Sequence, residues 1–269
     1  MTDSGDDRLV LVERAGENIL RLILNSPKTY NALSMAMIEA LHGALLAAFE
    51  DRRVRAIIIA ANGRGYCGGH DLKEMHAHRA DGDGGRNFYI DLFDRCTKMM
   101  TAMVEGPKVI IAEVQGIATA AGAQLVASCD MVVASREALF GVNGVNAGLF
   151  CSTPMVALSR SIGRKKCIEL LTTGRLMDAE EAHQAGLVNH VVAPCELSAK
   201  ALELAEAVAA KSAAVVELGK RAFYRQVEMN MEDAYAYTRG VIVENLLMHD
   251  AEEGICAFVE KRPPEWEDR

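Results

Sequence analysis

The sequence predicts an α/β fold that becomes helical towards its C-terminus. Three observations carry this. Short runs of β-branched and apolar residues alternate with amphipathic stretches over the first half of the chain. Two of those runs, 54–60 and 109–114, end in loops built from glycine and alanine. Beyond about residue 150 the apolar spacing is that of helices. Strand-then-helix units followed by helices give an α/β core with a helical region attached.

Residues 9–13 and Ile19–Leu24 alternate or run apolar on either side of Gly16, and read as a β-hairpin. Asn25-Ser26-Pro27 is a turn. Ser34 then opens a helix in which Ile38, Leu41, Leu45 and Phe49 share one face. The Ile-rich run 54–60 is a buried strand, and the glycine-rich loop 62–69 follows it. Segment 76–86 is polar and glycine-rich, which marks it as a mobile lid. A helix covers 88–103, and Val109–Val114 is a second buried strand. Gly116 turns the chain into the small-residue segment 118–127, and 131–134 is a further strand. Asp178 and Glu181 form a capping box, and helices follow at about 197–210, 212–229, 232–248 and 251–261. No repeat or long linker interrupts the chain. The expected organisation is a core of residues 1–195 and a C-terminal helical association region of residues 196–269.

Composition excludes several classes. The 269 residues can bury a sizeable core, and half are hydrophobic, as in soluble enzymes. A net charge of −8 argues against a nucleic-acid partner, because phosphate binding wants a basic face. The longest apolar runs are too short to span a bilayer, so no membrane partner is expected. The seven cysteines are odd in number and none is spaced Cys-x-x-Cys, which fits free thiols and neither a disulfide framework nor a metal site. Residues 1–7 are acidic and lack the features of a signal peptide or presequence. Together these features predict a cytoplasmic protein.

Two loops can do chemistry. One is Tyr66-Cys67-Gly68-Gly69-His70-Asp71-Leu72-Lys73; the other is Gly116-Ile117-Ala118-Thr119-Ala120-Ala121-Gly122-Ala123-Gln124. Each follows a strand and leads into a helix with free N–H groups. On neighbouring strands they would aim two N–H donors at one point, the construction of an oxyanion hole. Either loop alone is equally a tight, closely packed turn. Gly63-Arg64-Gly65-Tyr66-Cys67-Gly68 also matches the dinucleotide spacing, but no strand ending in an acidic residue stands about 20 residues on. There is no Gly-x-Ser-x-Gly elbow and no P-loop.

With these loops the chain resembles the crotonase superfamily, the enoyl-CoA hydratase/isomerase family. The likeness runs from about Leu9 to Trp266. It is carried by Leu24-Asn25-Ser26-Pro27-Lys28-Thr29-Tyr30-Asn31-Ala32-Leu33, the loops above, Cys129-Asp130, Gly148-Leu149-Phe150-Cys151-Ser152-Thr153-Pro154, and Phe258-Val259-Glu260-Lys261-Arg262. The resemblance implies a spiral of ββα units with a helical C-terminal region, assembled as a homotrimer or homohexamer. It implies an acyl-CoA thioester substrate in fatty-acid metabolism, with coenzyme A as part of that substrate and no separate cofactor. It gives the oxyanion hole to the N–H groups of His70 and Ala121, flanked by Gly69 and Gly122. It places Lys28, Asp71, Leu72 and Lys73 beside the nucleotide, and Phe258 and Lys261 against a neighbouring subunit's coenzyme A.

The same resemblance places the two glutamates of family hydratases at Gln124 and Gly144. Neither is a carboxylate here. A positioned acid or base is worth about 10²–10⁴-fold, about 3–5 kcal/mol, so hydration is undercut while main-chain binding is not. Carboxylates restored at both positions are expected to raise hydration. A catalytically silent acyl-CoA binder or partner subunit is the alternative. The His70 ring either faces solvent or serves as an acid or base. Asn143 and Asn146 read as turn residues, and Asp130 as a cap for backbone N–H groups.

Overall fold

The structure is a computed structural model that describes residues 7–269. The reading of residues 1–7 therefore falls, except for Asp7, outside the described residues. β1 (Val10–Arg14) and β2 (Ile19–Leu24) form the expected hairpin, with Val10 opposite Leu24. α1 (Met35–Glu50) is capped by Ser34, whose hydroxyl accepts the Met37 N–H, and it buries Ile38, Leu41 and Leu45. β3 (Ala56–Ala61), α2 (Leu72–Ala77) and α3 (Arg86–Glu105) follow, with a three-residue strand β4 (Gly65–Cys67) inside the loop expected between β3 and α2. β5 (Val109–Val114) has the expected bounds. The small-residue segment divides into β6 (Ile117–Thr119) and α4 (Ala121–Ala127), joined at Ala120.

After β7 (Met131–Ser135) come β8 (Leu139–Gly141), α5 (Pro154–Ser161), α6 (Arg164–Thr173), β9 (Leu176–Asp178), α7 (Ala179–Ala185) and β10 (His190–Val192). The region past residue 150 is thus not wholly helical. Its short strands extend two sheets, ordered β1-β2-β3-β5-β7-β10 and β4-β6-β8-β9. All neighbours in the first sheet are parallel except the β1–β2 hairpin. Parallel strands buried on both faces read as continuous apolar runs, which explains the Ile-rich β3 and β5.

Segment 76–86 is not a bare loop. It begins in α2 and continues through a 3-10 turn, His78–Ala80. The His78 ring then stacks on Phe88 at 3.6 Å, and Asp83 accepts the N–H groups of Gly85 and Asn87.

α8 (Leu197–Ala209) lays Leu197, Ala201 and Ala205 against Ile19, Ala56, Ile58, Ile111 and Val133 on one face of the larger sheet. α1 and α3 pack on the main core at the other face. α9 (Ala213–Gln226), α10 (Met231–Leu246) and α11 (His249–Glu260) complete the chain. α10 and α11 leave Met231, Tyr235, Leu246 and Phe258 exposed. Among the described residues no helix is long and apolar enough to cross a membrane.

One buried ion pair fastens α9 to the core. The Lys220 ammonium donates to the carbonyls of Met103 and Lys108 and to Asp130 Oδ2, each at 2.8 Å. Asp130 also accepts the Ile110 N–H at 2.7 Å and the Tyr224 hydroxyl at 2.9 Å. The carboxylate therefore caps one backbone N–H, as expected, and holds a cation besides. Burial, with the adjacent Asp130 charge, pushes the Tyr224 phenol well above its ordinary range. Every polar atom of the ammonium is met, so removing it strands a buried carboxylate. Lys220→Ala should cost about 3–5 kcal/mol of folding stability in chemical denaturation; a loss below about 1 kcal/mol would contradict this account.

Candidate active site

The site is assembled by three contacts between backbone segments. Asn31 is fully buried in a left-handed conformation, φ 51°. Its Oδ1 accepts the Ser26 N–H at 2.7 Å. Its Nδ2 shares two hydrogens among the carbonyls of Asn62 and Gly65 at 3.0 Å and Tyr66 at 3.1 Å. This clamp holds the loop that carries β4. Next, Gly122 lies where a Cβ would stand 2.1 Å from the Cys67 carbonyl oxygen. Only a residue without a side chain lets α4 lie this close to β4. Finally, Gly69 adopts φ 94°, and a Cβ there would be 3.0 Å from the Thr119 carbonyl and 3.3 Å from the Ala121 nitrogen.

These contacts put two N–H groups on adjoining turns. The bridge to Leu33 uses the Gly69 carbonyl, at 2.7 Å, and the Asp71 N–H, at 3.4 Å. The intervening His70 N–H has no protein acceptor among the described residues. The same holds for the N–H of Ala121, the first residue of α4. Ala120, just before it, sits at φ 49°, ψ −118°, while its N–H is held by the Gly141 carbonyl at 2.9 Å. That conformation is the first position of a type II′ turn, which glycine ordinarily fills. An alanine there stores about 1–3 kcal/mol of strain, paid by the surrounding structure.

The His70 ring turns inward and not to solvent. It meets the edge of Phe93 with centroids 5.0 Å apart and planes at 77°. Its Nε2 is sealed from solvent and has no hydrogen-bond partner. Burial lowers the imidazole pKa to about 4, so the ring is neutral at physiological pH. Phe93, with Tyr89, Ile90, Arg86 and Asp94, lines an open surface cavity of about 400 Å³ that faces solvent. Gln124 is likewise buried, and its Oε1 has no partner. Helical side chains lean back over the preceding turn, so Gln124 overlies the turn that bears the Ala121 amide.

Position 144 is closed. A Cβ on Gly144 would lie 2.7 Å from the Leu149 carbonyl and 2.8 Å from Cys151 Sγ. A carboxylate restored there would have to displace the Leu149–Cys151 turn, a cost the sequence did not show. Burial raises the Cys151 thiol above its ordinary pKa, which keeps it neutral. Asn146 lies in the 3-10 turn Asn143–Ala147, and its side chain donates across the fold to the Gly174 carbonyl at 3.0 Å, a tertiary tie beyond the turn role expected.

Of the sequence-predicted residues, Gly69, His70, Ala121, Gly122 and Gln124 come together. Asp71 caps α2, accepting the Lys73 and Glu74 N–H groups at 2.9 and 3.2 Å, which leaves Leu72 and Lys73 exposed on its first turn. Lys28 is exposed on the 3-10 turn Pro27–Thr29; that segment is tied to the loop through the Gly68 N–H and Tyr30 carbonyl, 2.8 Å apart. Phe258 and Lys261 are exposed at the end of α11 and bond to neither site loop. Sequence reasoning missed the Asn31 clamp, the strained Ala120 and the Phe93 wall. The positive-φ geometry at Ala120 has no local signal, and Phe93 is distant in sequence. Among the described residues no group of three His, Cys, Asp or Glu side chains is placed to hold a metal ion.

A family model described as enoyl-CoA hydratase/isomerase matches residues 14–269. The chain belongs to the enoyl-CoA hydratase/isomerase family. Its fold is the crotonase fold of that family, an α/β arrangement with mixed sheets and a helical C-terminal region. The "enoyl-coa hydratase" of Mycobacterium smegmatis superposes with a TM-score of 0.91 at 48% identity, covering 96% of this chain and 98% of the other. Human enoyl Coenzyme A hydratase domain-containing protein 3 gives a TM-score of 0.91 at 41% identity, covering 96% and 100%. Among curated family members, the Xenopus laevis protein "Enoyl-CoA hydratase domain-containing protein 3, mitochondrial" is 45% identical over 248 residues, 92% of this chain and 83% of that relative. These relationships identify an enzyme of the hydratase/isomerase kind.

They also correct the location. The frog, rat, human, mouse and zebrafish relatives are all named mitochondrial, which points away from the cytoplasm. Free thiols fit any reducing compartment, so cysteine usage could not separate the two.

The buried ring gives the fold a pH signature. The folded pKa of His70, about 4, lies below the ordinary 6.5 of an unfolded chain. The unfolded state then binds more protons between those values, and stability falls as pH drops from about 6.5 to 4. The loss attributable to this group is up to about 3 kcal/mol. In denaturation series from pH 7 to pH 4, His70→Asn should lose less stability than the wild type. Parallel curves for the two proteins would mean that the ring titrates normally.

Proposed function

We propose that the chain binds an acyl-CoA thioester and holds its carbonyl oxygen between the N–H groups of His70 and Ala121. The observation that carries this reading is two unbonded main-chain donors on adjoining turns, one of them on a residue whose ring packs against Phe93. A thioester enolate places negative charge on that oxygen, and donors fixed in advance stabilise it without reorganising. The exposed Lys73 and Lys28 meet the nucleotide end, with Asp71 shaping the α2 turn that presents Leu72 and Lys73. Coenzyme A is then part of the substrate, and no separate cofactor is needed.

Hydration of an enoyl-CoA is not the favoured chemistry. Gln124 has no useful pKa near neutrality, and Gly144 has neither a side chain nor space for one. Water adds to an enoyl thioester only if one group takes its proton and another delivers a proton to the α-carbon. The crowding at Gly144 equally supports the alternative of a catalytically silent acyl-CoA binder. Purified protein titrated with a panel of acyl-CoAs should bind them in the micromolar-to-millimolar range usual for substrates. Lys73→Ala and higher salt should each weaken binding. Crotonyl-CoA hydration should be orders of magnitude below the roughly 10 per second of a median enzyme. Absence of heat and of thermal shift with every acyl-CoA would sink the binding reading, and turnover in the tens per second would sink the second.

The C-terminal region 196–269 is the association region in this reading. The exposed apolar residues of α10 and α11, Phe258 included, with the exposed Lys261 just past α11, fit contact with a neighbouring copy and its coenzyme A. The expected assembly is a homotrimer or homohexamer. Light scattering giving 29.1 kDa, the mass of one chain, at micromolar concentration would count against it.

A further inference from the structure

The amide pair stabilises an enolate and transfers no proton. Neither Gln124 nor Gly144 transfers one either, so a proton-moving group has to come from elsewhere in the site. The His70 ring hangs from the residue whose own N–H would hold the carbonyl, which confines it to the neighbourhood of the reacting carbons. Its Nε2 is buried with no partner. A buried polar atom left unsatisfied is rare and costs about 1–3 kcal/mol, a cost a bound ligand removes. The ring also packs on Phe93, which continues with Tyr89 and Ile90 into the wall of the cavity. Phe93 thus touches both the imidazole and the cavity.

We propose that the His70 imidazole is the proton-transfer group of this site, with Nε2 taking the proton from the carbon α to the bound thioester carbonyl. This rests on the reading of His70 and Ala121 as the carbonyl-holding pair. The Cα–H bond breaks and its electron pair forms the enolate double bond. The carbonyl π pair moves to the oxygen held by the two N–H groups, and the proton forms Nε2–H. In the return step the proton goes back to the α-carbon or, in a β,γ-unsaturated chain, to the γ-carbon. The second course is a double-bond shift, and it needs no water, oxidant or second acid. The substrate class is therefore an acyl-CoA with an acidic α-proton, 3-enoyl thioesters foremost.

Two physical points support the assignment. Burial keeps the resting ring neutral, the form that accepts a proton. The enolate then places negative charge beside it, which favours the imidazolium at the moment it forms. The low resting pKa thus opposes transfer less than it would in isolation.

The test uses butyryl-CoA in deuterium oxide with the full chain. Calorimetry reads binding, and mass spectrometry reads deuterium uptake at the α-carbon. The wild type should bind and exchange. His70→Asn keeps the backbone N–H and should bind within a few-fold of the wild type, yet exchange at least about 100-fold more slowly, the usual worth of a positioned base. His70→Gln, closer in length, replaces it if the asparagine variant loses its fold. Undiminished exchange in a folded, binding variant overturns the inference and leaves the amide pair standing. Wild-type binding without exchange does the same. Failure of the wild type to bind any acyl-CoA overturns the amide-pair reading itself, and this inference with it.

Discussion

Everything at the site depends on one missing side chain. At Gly122 the backbone of α4 comes so near the Cys67 carbonyl that a single methyl would stand 2.1 Å from its oxygen. That approach holds β4 and the start of α4 side by side, and with them His70 and Ala121. The two sheets meet the same need on a larger scale. β3 and β5 are neighbours in the larger sheet, and β4 and β6, directly after them, are neighbours in the smaller. The chain therefore leaves one sheet twice at adjacent points and enters the other twice at adjacent points. Two loops distant in sequence end as a pair of donors.

Strain and satisfaction are divided unequally around this pair. The structural polar groups are fully met: Asn31 with its carbonyls, and Lys220 with two carbonyls and Asp130. Two groups beside the donor pair are not, and Ala120 in addition holds a conformation that alanine resists. His70 Nε2 and Gln124 Oε1 are buried and unpaired there, as are Arg21 Nε, Gln115 Oε1 and His249 Nδ1 elsewhere in the fold.

Much of the fold was legible in the sequence because local rules decide it. Ser34 caps α1 where read, Asp178 caps α7, and the apolar run of β5 has the bounds expected. The three-residue strands β4, β6, β8 and β9 were not legible, because no periodicity exists over so few residues. The small sheet is therefore invisible until tertiary contacts draw it. Within the site, the identities at 70, 121 and 124 could be read from the loops, and the lack of carboxylates at 124 and 144 with them. The crowding at 144 could not, since it depends on where Leu149 and Cys151 return. Nor could the burial of the His70 ring, which depends on Phe93 across a polar segment that looked like solvent-facing loop.

The Asn31 clamp has a consequence for how the chain acquires its chemistry. Its Nδ2 is satisfied only by carbonyls 31, 34 and 35 residues further along. No short fragment offers those partners, and closing that stretch carries an entropic cost before any contact repays it. Local bonds between Ser26 and Asn31 can form the turn early, but it gains its hold on the β4 loop only once β3 has laid down beside β2 and delivered residues 62–66. Pairing of the two loops is thus a late acquisition, arriving with long-range order and not with helix formation. A partly folded chain would show most of its helical signal before the His70 and Ala121 N–H groups stand side by side, so their pairing is a stricter report of the native state than any measure of secondary structure.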